Sequence, residues 1–169
     1  NFDSLSIEWT FPDGIKGFDG VRWLGGHCFQ DFSTYVHGTK AAAQFSGATH
    51  RGTTRIFKDR RCDADAIAWE APPERIDPWD AEWNALLGAI RDDREHNEVE
   101  RAVKSNLATL MGRAALHSGR EITWEDINRS DVRLFPGSID DLDEHTVPPV
   151  LPDAAGRYPV PVPGVWRET

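Results

Sequence analysis

SLSIEWTFPDGIKGFDGVRWL, residues 4–24, decides the fold class. Leu5, Ile7, Trp9 and Phe11 alternate with Ser4, Ser6, Glu8 and Thr10. A period of two puts apolar side chains on one face of an extended strand and polar ones on the other. Pro12-Asp13-Gly14 follows as a turn: Pro presets φ, Asp caps and Gly supplies positive φ. Ile15 to Leu24 then reads as the returning strand, with Gly17 and Gly20 weakening it or marking bulges.

The same reading extends through the first 70 residues. Asp31 to His37 offers Phe32, Tyr35 and Val36 as a third strand. Gly38-Thr39-Lys40 is the next turn, after which Ala41, Ala43 and Phe45 alternate. Thr54 to Phe57 and Ala66 to Ala71 supply two more short strands. Hairpin-linked strands predict a largely antiparallel sheet.

Pro72-Pro73 closes the sheet region, and the period changes. Asp77 is a good N-cap and Pro78 suits the first helical position. Trp79, Trp83, Leu86, Leu87 and Ile90 share one helical face. A second helix starts near Asn97 with the stripe Val99, Val103, Leu107, Leu110 and Met111, and Gly119 sits where a left-handed C-cap belongs. Thr123 and Asp126 have the spacing of a capping box for a short third helix. Strands followed by helices predict an α+β domain: an open, mostly antiparallel sheet with helices on one face. The other sheet face is then left for a partner domain or subunit to cover.

From Asp131 both periodicities fade. Pro136, Pro148, Pro149, Pro152, Pro159, Pro161 and Pro163 fall here, and 159–163 favours an extended polyproline-like backbone. Tyr158, Val160, Val162 and Trp166 give the segment apolar grip. The expected organisation is therefore a sheet-plus-helix domain over residues 1–130 and an extended Pro-rich arm over 131–169, laid on the same domain or a neighbour.

The net charge of -9, with no basic stripe, argues against nucleic acid and anionic membrane as partners. No apolar run approaches the roughly 20 residues that cross a bilayer. Cys28 and Cys62 are expected as two free thiols, with a single disulfide as the alternative. The start at Asn1-Phe2-Asp3, without an initiator Met, is expected of a fragment.

Catalytic motifs are not found: no G-x-G-x-x-G, G-x-x-x-x-G-K-[ST], H-E-x-x-H or G-x-S-x-G occurs. The histidines at 27, 37, 50, 96, 117 and 145 show no metal-ligand spacing, and His117 suits the C-terminal end of a helix dipole. Of the seven tryptophans, Trp9, Trp79 and Trp83 sit at core spacing, whereas Trp23, Trp69, Trp124 and Trp166 are less constrained. Residues 22–31, RWLGGHCFQD, combine a cation, an aromatic, a double glycine and a histidine between two strands. Arg22, Trp23, His27, Asp31 and Tyr35 are the candidate substrate-binding residues there: Trp stacks on a pyranose face while Arg, His and Asp bind hydroxyls. The alternative is an ordinary hairpin loop with a buried Trp and Cys.

Asn97-Glu98, Lys104-Ser105, the run Leu110-Met111-Gly112-Arg113-Ala114-Ala115, Ser118-Gly119 and Ile122-Thr123-Trp124-Glu125 form one familiar series. It continues in Pro148-Pro149-Val150-Leu151-Pro152-Asp153 and in residues 156–165, GRYPVPVPGV. Together they resemble the C-terminal end of the planctomycete-type Gfo/Idh/MocA (glucose-fructose oxidoreductase-like) oxidoreductases. The Asp13-Gly14 and Gly38-Thr39-Lys40 turns resemble that group's sheet hairpins. The resemblance implies a parent with an N-terminal Rossmann domain that binds NAD or NADP. The sheet domain would enclose a sugar-like or polyol substrate and form a homo-oligomer through its sheet face. The family's glycine fingerprint, its Glu-Lys-Pro segment and its Asp-x-x-x-His element are missing here, so no catalytic residue carries over. The fragment is expected to bind no cofactor or metal and to be inert alone. Its compartment follows the parent: cytoplasmic, or exported if the parent carries a twin-arginine signal. The rival readings are a carbohydrate-binding module and an assembly module without catalysis.

Overall fold

In the computed structural model the chain folds as two compact units, one built from Asn1–Leu24 with Glu98–Thr169 and one from Gly25–Asn97. The structure describes residues 2–26, 28–46, 53–73, 75–133, 138, 140 and 142–166. The fold is α+β, with open antiparallel sheets and no closed barrel.

The first unit starts as the alternation predicts. β1 (Ser4–Thr10) pairs antiparallel with β2 (Lys16–Arg22), from Ser4 opposite Arg22 to Thr10 opposite Lys16. Pro12–Gly14 closes the turn with Asp13 at φ 66° and Gly14 at φ 75°, and the Phe11 N–H donates to the Ile15 carbonyl (2.8 Å). Leu5, Ile7 and Trp9 are half-buried and the alternate residues exposed. The ladder runs without a bulge at Gly17 or Gly20. Among the described residues no further strand joins the hairpin, so the single sheet expected from sequence is two separate sheets there.

α2 (Val99–Ser118) packs against β1 through its C-terminal half. Gly112 makes the approach close: a Cβ there would lie 2.9 Å from Trp9 Cη2 and 3.1 Å from Ile7 Cδ1. The buried positions of α2 are Gly112, Ala114, His117 and Ser118. The expected stripe is therefore displaced: Val99 and Val103 are exposed, and only Leu107 and Met111 are half-buried. The short hairpin reaches only the last turns of a 20-residue helix.

Gly119 ends α2 in the left-handed region at φ 67°, as its position predicts. α3 (Trp124–Arg129) starts with a complete capping box. The Asp126 N–H donates to Thr123 Oγ1 (3.1 Å), and the Thr123 N–H donates to Asp126 Oδ2 (2.9 Å).

The Pro-rich arm docks on the end of α2. The Gly164 N–H donates to the Ser118 carbonyl (2.7 Å), and Pro163 lies against Gly119. His117 is buried, with Phe2 edge-on to its ring at 5.6 Å and Trp166 at 6.4 Å. The position near the helix C-terminus is as expected, but the ring is sandwiched by aromatics. The arm is also less extended than its prolines suggest: Asp153 Oδ1 accepts from the N–H groups of Ala155 (2.8 Å) and Arg157 (2.9 Å), tying a tight loop.

The second unit holds a four-stranded antiparallel sheet in the order β3 (Tyr35–His37), β4 (Ala42–Gln44), β5 (Arg55–Phe57), β6 (Ile67–Glu70). The third strand, expected from Asp31, begins only at Tyr35. A core of Ala42, Phe57 and Ala66 is flanked by Cys62 and Ile67. β4 corrects the predicted phase: Ala42 and Gln44 face inward, whereas Phe45, on the expected core face, is exposed. Burial of Gln44 is tolerated because its amide donates to Ser33 Oγ (3.1 Å) and the Ser46 carbonyl (2.9 Å).

α1 (Pro78–Arg91) follows in that unit. The Asp77 side chain accepts from the Trp79 N–H (3.0 Å), as the cap predicts. Its apolar stripe stays open: Trp79 is 58%, Trp83 61% and Ile90 65% exposed, and only Ala89 is buried. Trp79 and Trp83 are thus not core residues.

Candidate functional site

The residues proposed for substrate contact are divided between the units. Arg22 ends β2, and the Trp23 N–H donates to the Asp3 carbonyl (2.7 Å), extending the hairpin by one rung. The Trp23 indole is 71% exposed rather than buried in a loop. Asp31 and Tyr35 belong to the second unit. Asp31 Oδ1 is engaged by the Ser33 N–H (3.1 Å) and by the Ser33 hydroxyl. Tyr35 opens β3 opposite Gln44. His27 lies outside the described residues. Neither unit assembles this set into one pocket.

A cavity of about 630 Å³ lies instead within the first unit, bounded by Ser6–Thr10 of β1, Lys16, the C-terminal half of α2 and the segment Arg120–Trp124. Its size is that of a ligand cleft, yet its defining feature is backbone. The bonds from Trp23 to Asp3 and from Phe11 to Ile15 bracket the ladder. In an antiparallel pair the bonded rungs alternate. Leu5, Ile7 and Trp9 therefore bond to β2, while the N–H and C=O groups of Ser6, Glu8 and Thr10 point outward. Among the described residues none reaches those outward groups.

The side chains around this edge are mixed. Lys16 Nζ spans Glu8 Oε1 (2.6 Å) and Thr10 Oγ1 (2.7 Å), which neutralises the polar face of β1 locally. Trp124, Ile122, Met111 and Leu116 give the groove an apolar wall, and Arg120 and Glu121 add one charge of each sign. The Asp126 carboxyl is held below the usual carboxylate range by the Thr123 hydroxyl and backbone N–H, and so stays anionic at the start of α3. The sequence reading did not find this groove. Its partial signals were the weakly constrained Trp124 and the capping box.

Among the described residues no group of three His, Cys, Asp or Glu side chains could hold a metal ion, and no helix is long and apolar enough to cross a membrane. Among the described residues every strand pair is antiparallel.

The chain matches no known family profile, no curated protein and no solved structure.

Proposed function

We propose that this chain is the sheet domain of an NAD(P)-dependent oxidoreductase of the Gfo/Idh/MocA type. In this reading it encloses a sugar-like or polyol substrate and forms oligomer contacts, while a separate Rossmann domain holds the nucleotide. The family part rests on the resemblance of α2, α3 and the Pro-rich arm. The structural observation that carries the rest is exposed apolar surface: α1 leaves Trp79, Trp83 and Ile90 open, and the hairpin leaves Phe11, Ile15 and Phe18 open, side chains suited to contact with a partner. Hydride transfer belongs to the nicotinamide, and this chain's residues would shape and close the substrate side.

The test is the gene product that contains this chain, assayed for NADH or NADPH formation against a panel of sugars and polyols. Nucleotide reduction with at least one hydroxyl substrate is the expected result. A gene product with no glycine-rich βαβ segment, and no reduction with any substrate, would refute the reading.

One observation favours a carbohydrate-binding module as second reading: Trp23 stands 71% exposed beside Arg22. Titrating the chain alone with sugars, followed by tryptophan fluorescence, separates the two. Saturable binding that is lost in Trp23→Ala supports the module.

A further inference from the structure

The geometry points to the outer edge of β1 as a self-pairing surface, which joins two copies of this chain through an antiparallel β1–β1 ladder. This rests on reading the exposed apolar surface of the hairpin as interface and needs no nucleotide or redox chemistry.

Among the described residues no strand pairs with either outer edge of the hairpin, but the two edges differ. β2 carries Gly17, Gly20, Asp19 and Arg22, and breaks its edge with glycine and charge. β1 has no Gly or Pro, and its single charge, Glu8, is already matched by Lys16. It therefore lacks the usual protections against edge pairing. The groove lined by Ser6–Thr10 and Arg120–Trp124 lies beside this strand.

The β1 sequence is complementary to its own reverse. A two-fold axis through Ile7 pairs all seven residues of the strand. Ser4 then faces Thr10 of the second copy, Ser6 faces Glu8, Leu5 faces Trp9, and Ile7 faces Ile7. One face of the ladder is apolar throughout and the other polar, with no like charges opposed. The outward groups of Ser6 and Glu8 become the bonded rungs, as their orientation requires. Moving the axis to Glu8 sets two Glu8 carboxylates opposite each other, and moving it to Ser6 leaves Trp9 and Thr10 unpaired. The product is a four-stranded sheet in the order β2-β1-β1-β2.

The test combines sedimentation equilibrium with amide hydrogen exchange on the unaltered chain. The expected result is a concentration-dependent dimer in which the Ser6, Glu8 and Thr10 amides slow by roughly tenfold or more, while the outward amides of Phe18 and Gly20 do not change. Glu8→Pro removes an outward donor without touching the hairpin ladder, so it should weaken dimerisation by roughly tenfold or more. In a Cys28→Ser, Cys62→Ser background, Ile7→Cys should cross-link between copies on oxidation and Leu5→Cys should not. A chain that stays monomeric overturns the proposal. So does a dimer whose β1 amides remain unprotected, or equal cross-linking by Leu5→Cys. Protection that needs an added foreign peptide would assign the edge to another strand and equally overturn self-pairing. None of these readouts depends on activity, so this inference and the oxidoreductase reading fail separately.

Discussion

Gly112→Ala measures how tightly the hairpin seats on α2. In an exposed helix interior, replacing Gly by Ala stabilises by about 1 kcal/mol. At Gly112 the added methyl would sit 2.9 Å from Trp9 Cη2, 3.0 Å from Cζ2 and 3.1 Å from Ile7 Cδ1. Distances this short force the indole or the helix to move, and overpacking of this kind costs about 1–3 kcal/mol. The net expectation is a loss of about 1 kcal/mol. Gly88 supplies the control: it lies within α1, and a Cβ there meets nothing within 4 Å. Gly88→Ala should therefore stabilise its unit by about 1 kcal/mol, leaving the two substitutions about 2 kcal/mol apart. Urea unfolding followed by tryptophan fluorescence and far-ultraviolet circular dichroism reads both, with unchanged m-values. Adding Gly112→Ala to Trp9→Leu closes a double-mutant cycle, and the penalty should disappear there. If Gly112→Ala stabilises as much as Gly88→Ala does, the close approach of β1 to α2 is wrong.

Thr123→Ala should cost about 1 kcal/mol through loss of the α3 cap, read as faster amide exchange in 124–129. The Asp126 carboxyl is held low by Thr123, so its folded-state value lies below its unfolded one. Its contribution is present above the unfolded value of about 3.9 and is lost as pH falls through the folded value. Proton titration by NMR should show Asp126 returning toward that ordinary value in Thr123→Ala. Gly119→Ala places a Cβ at φ 67°, 2.8 Å from Pro163 Cβ, and should cost about 1–2 kcal/mol from the backbone alone. Faster tryptic cleavage at Arg157 would report release of the arm. Gln44→Leu leaves the Ser46 carbonyl without its donor and should destabilise the second unit by about 1–2 kcal/mol, measured by thermal unfolding.

Features with a local cause were legible in the sequence. The hairpin register follows from the alternation and the Pro12-Asp13-Gly14 turn. The caps at Asp77 and Thr123 and the left-handed Gly119 follow from backbone chemistry within a few residues. What failed depended on distant partners. On β4, alternation fits either phase among three alanines, and the hydrogen bonds that the Gln44 amide donates to Ser33 and Ser46 make it the inward residue. The stripe of α1 gave the right helix but no burial, because periodicity states which side is apolar and not whether anything covers it. His117 was placed on the correct turn, yet its aromatic neighbours come from Phe2 and Trp166 at opposite ends of the chain. The candidate residues between 22 and 35 straddle a boundary between units that falls at the double glycine Gly25-Gly26, which the alternation of strands and turns read as a hairpin loop. The groove stayed hidden because its walls come from β1, the end of α2 and residues 120–124, segments far apart in sequence.

The first unit is discontinuous, and this sets an order on biosynthesis. Its hairpin leaves the ribosome before the rest of the unit, because the helix turn that receives Trp9 lies about ninety residues later, which takes on the order of ten seconds to translate. During that wait the second unit is complete and free to fold, while the apolar face of β1 has nothing to rest on. Nascent chains stalled after Asn97 should therefore protect the four-stranded sheet and leave Leu5, Ile7 and Trp9 open to chaperones. Closing so long a loop late is entropically costly. The first unit should therefore complete its folding after the second.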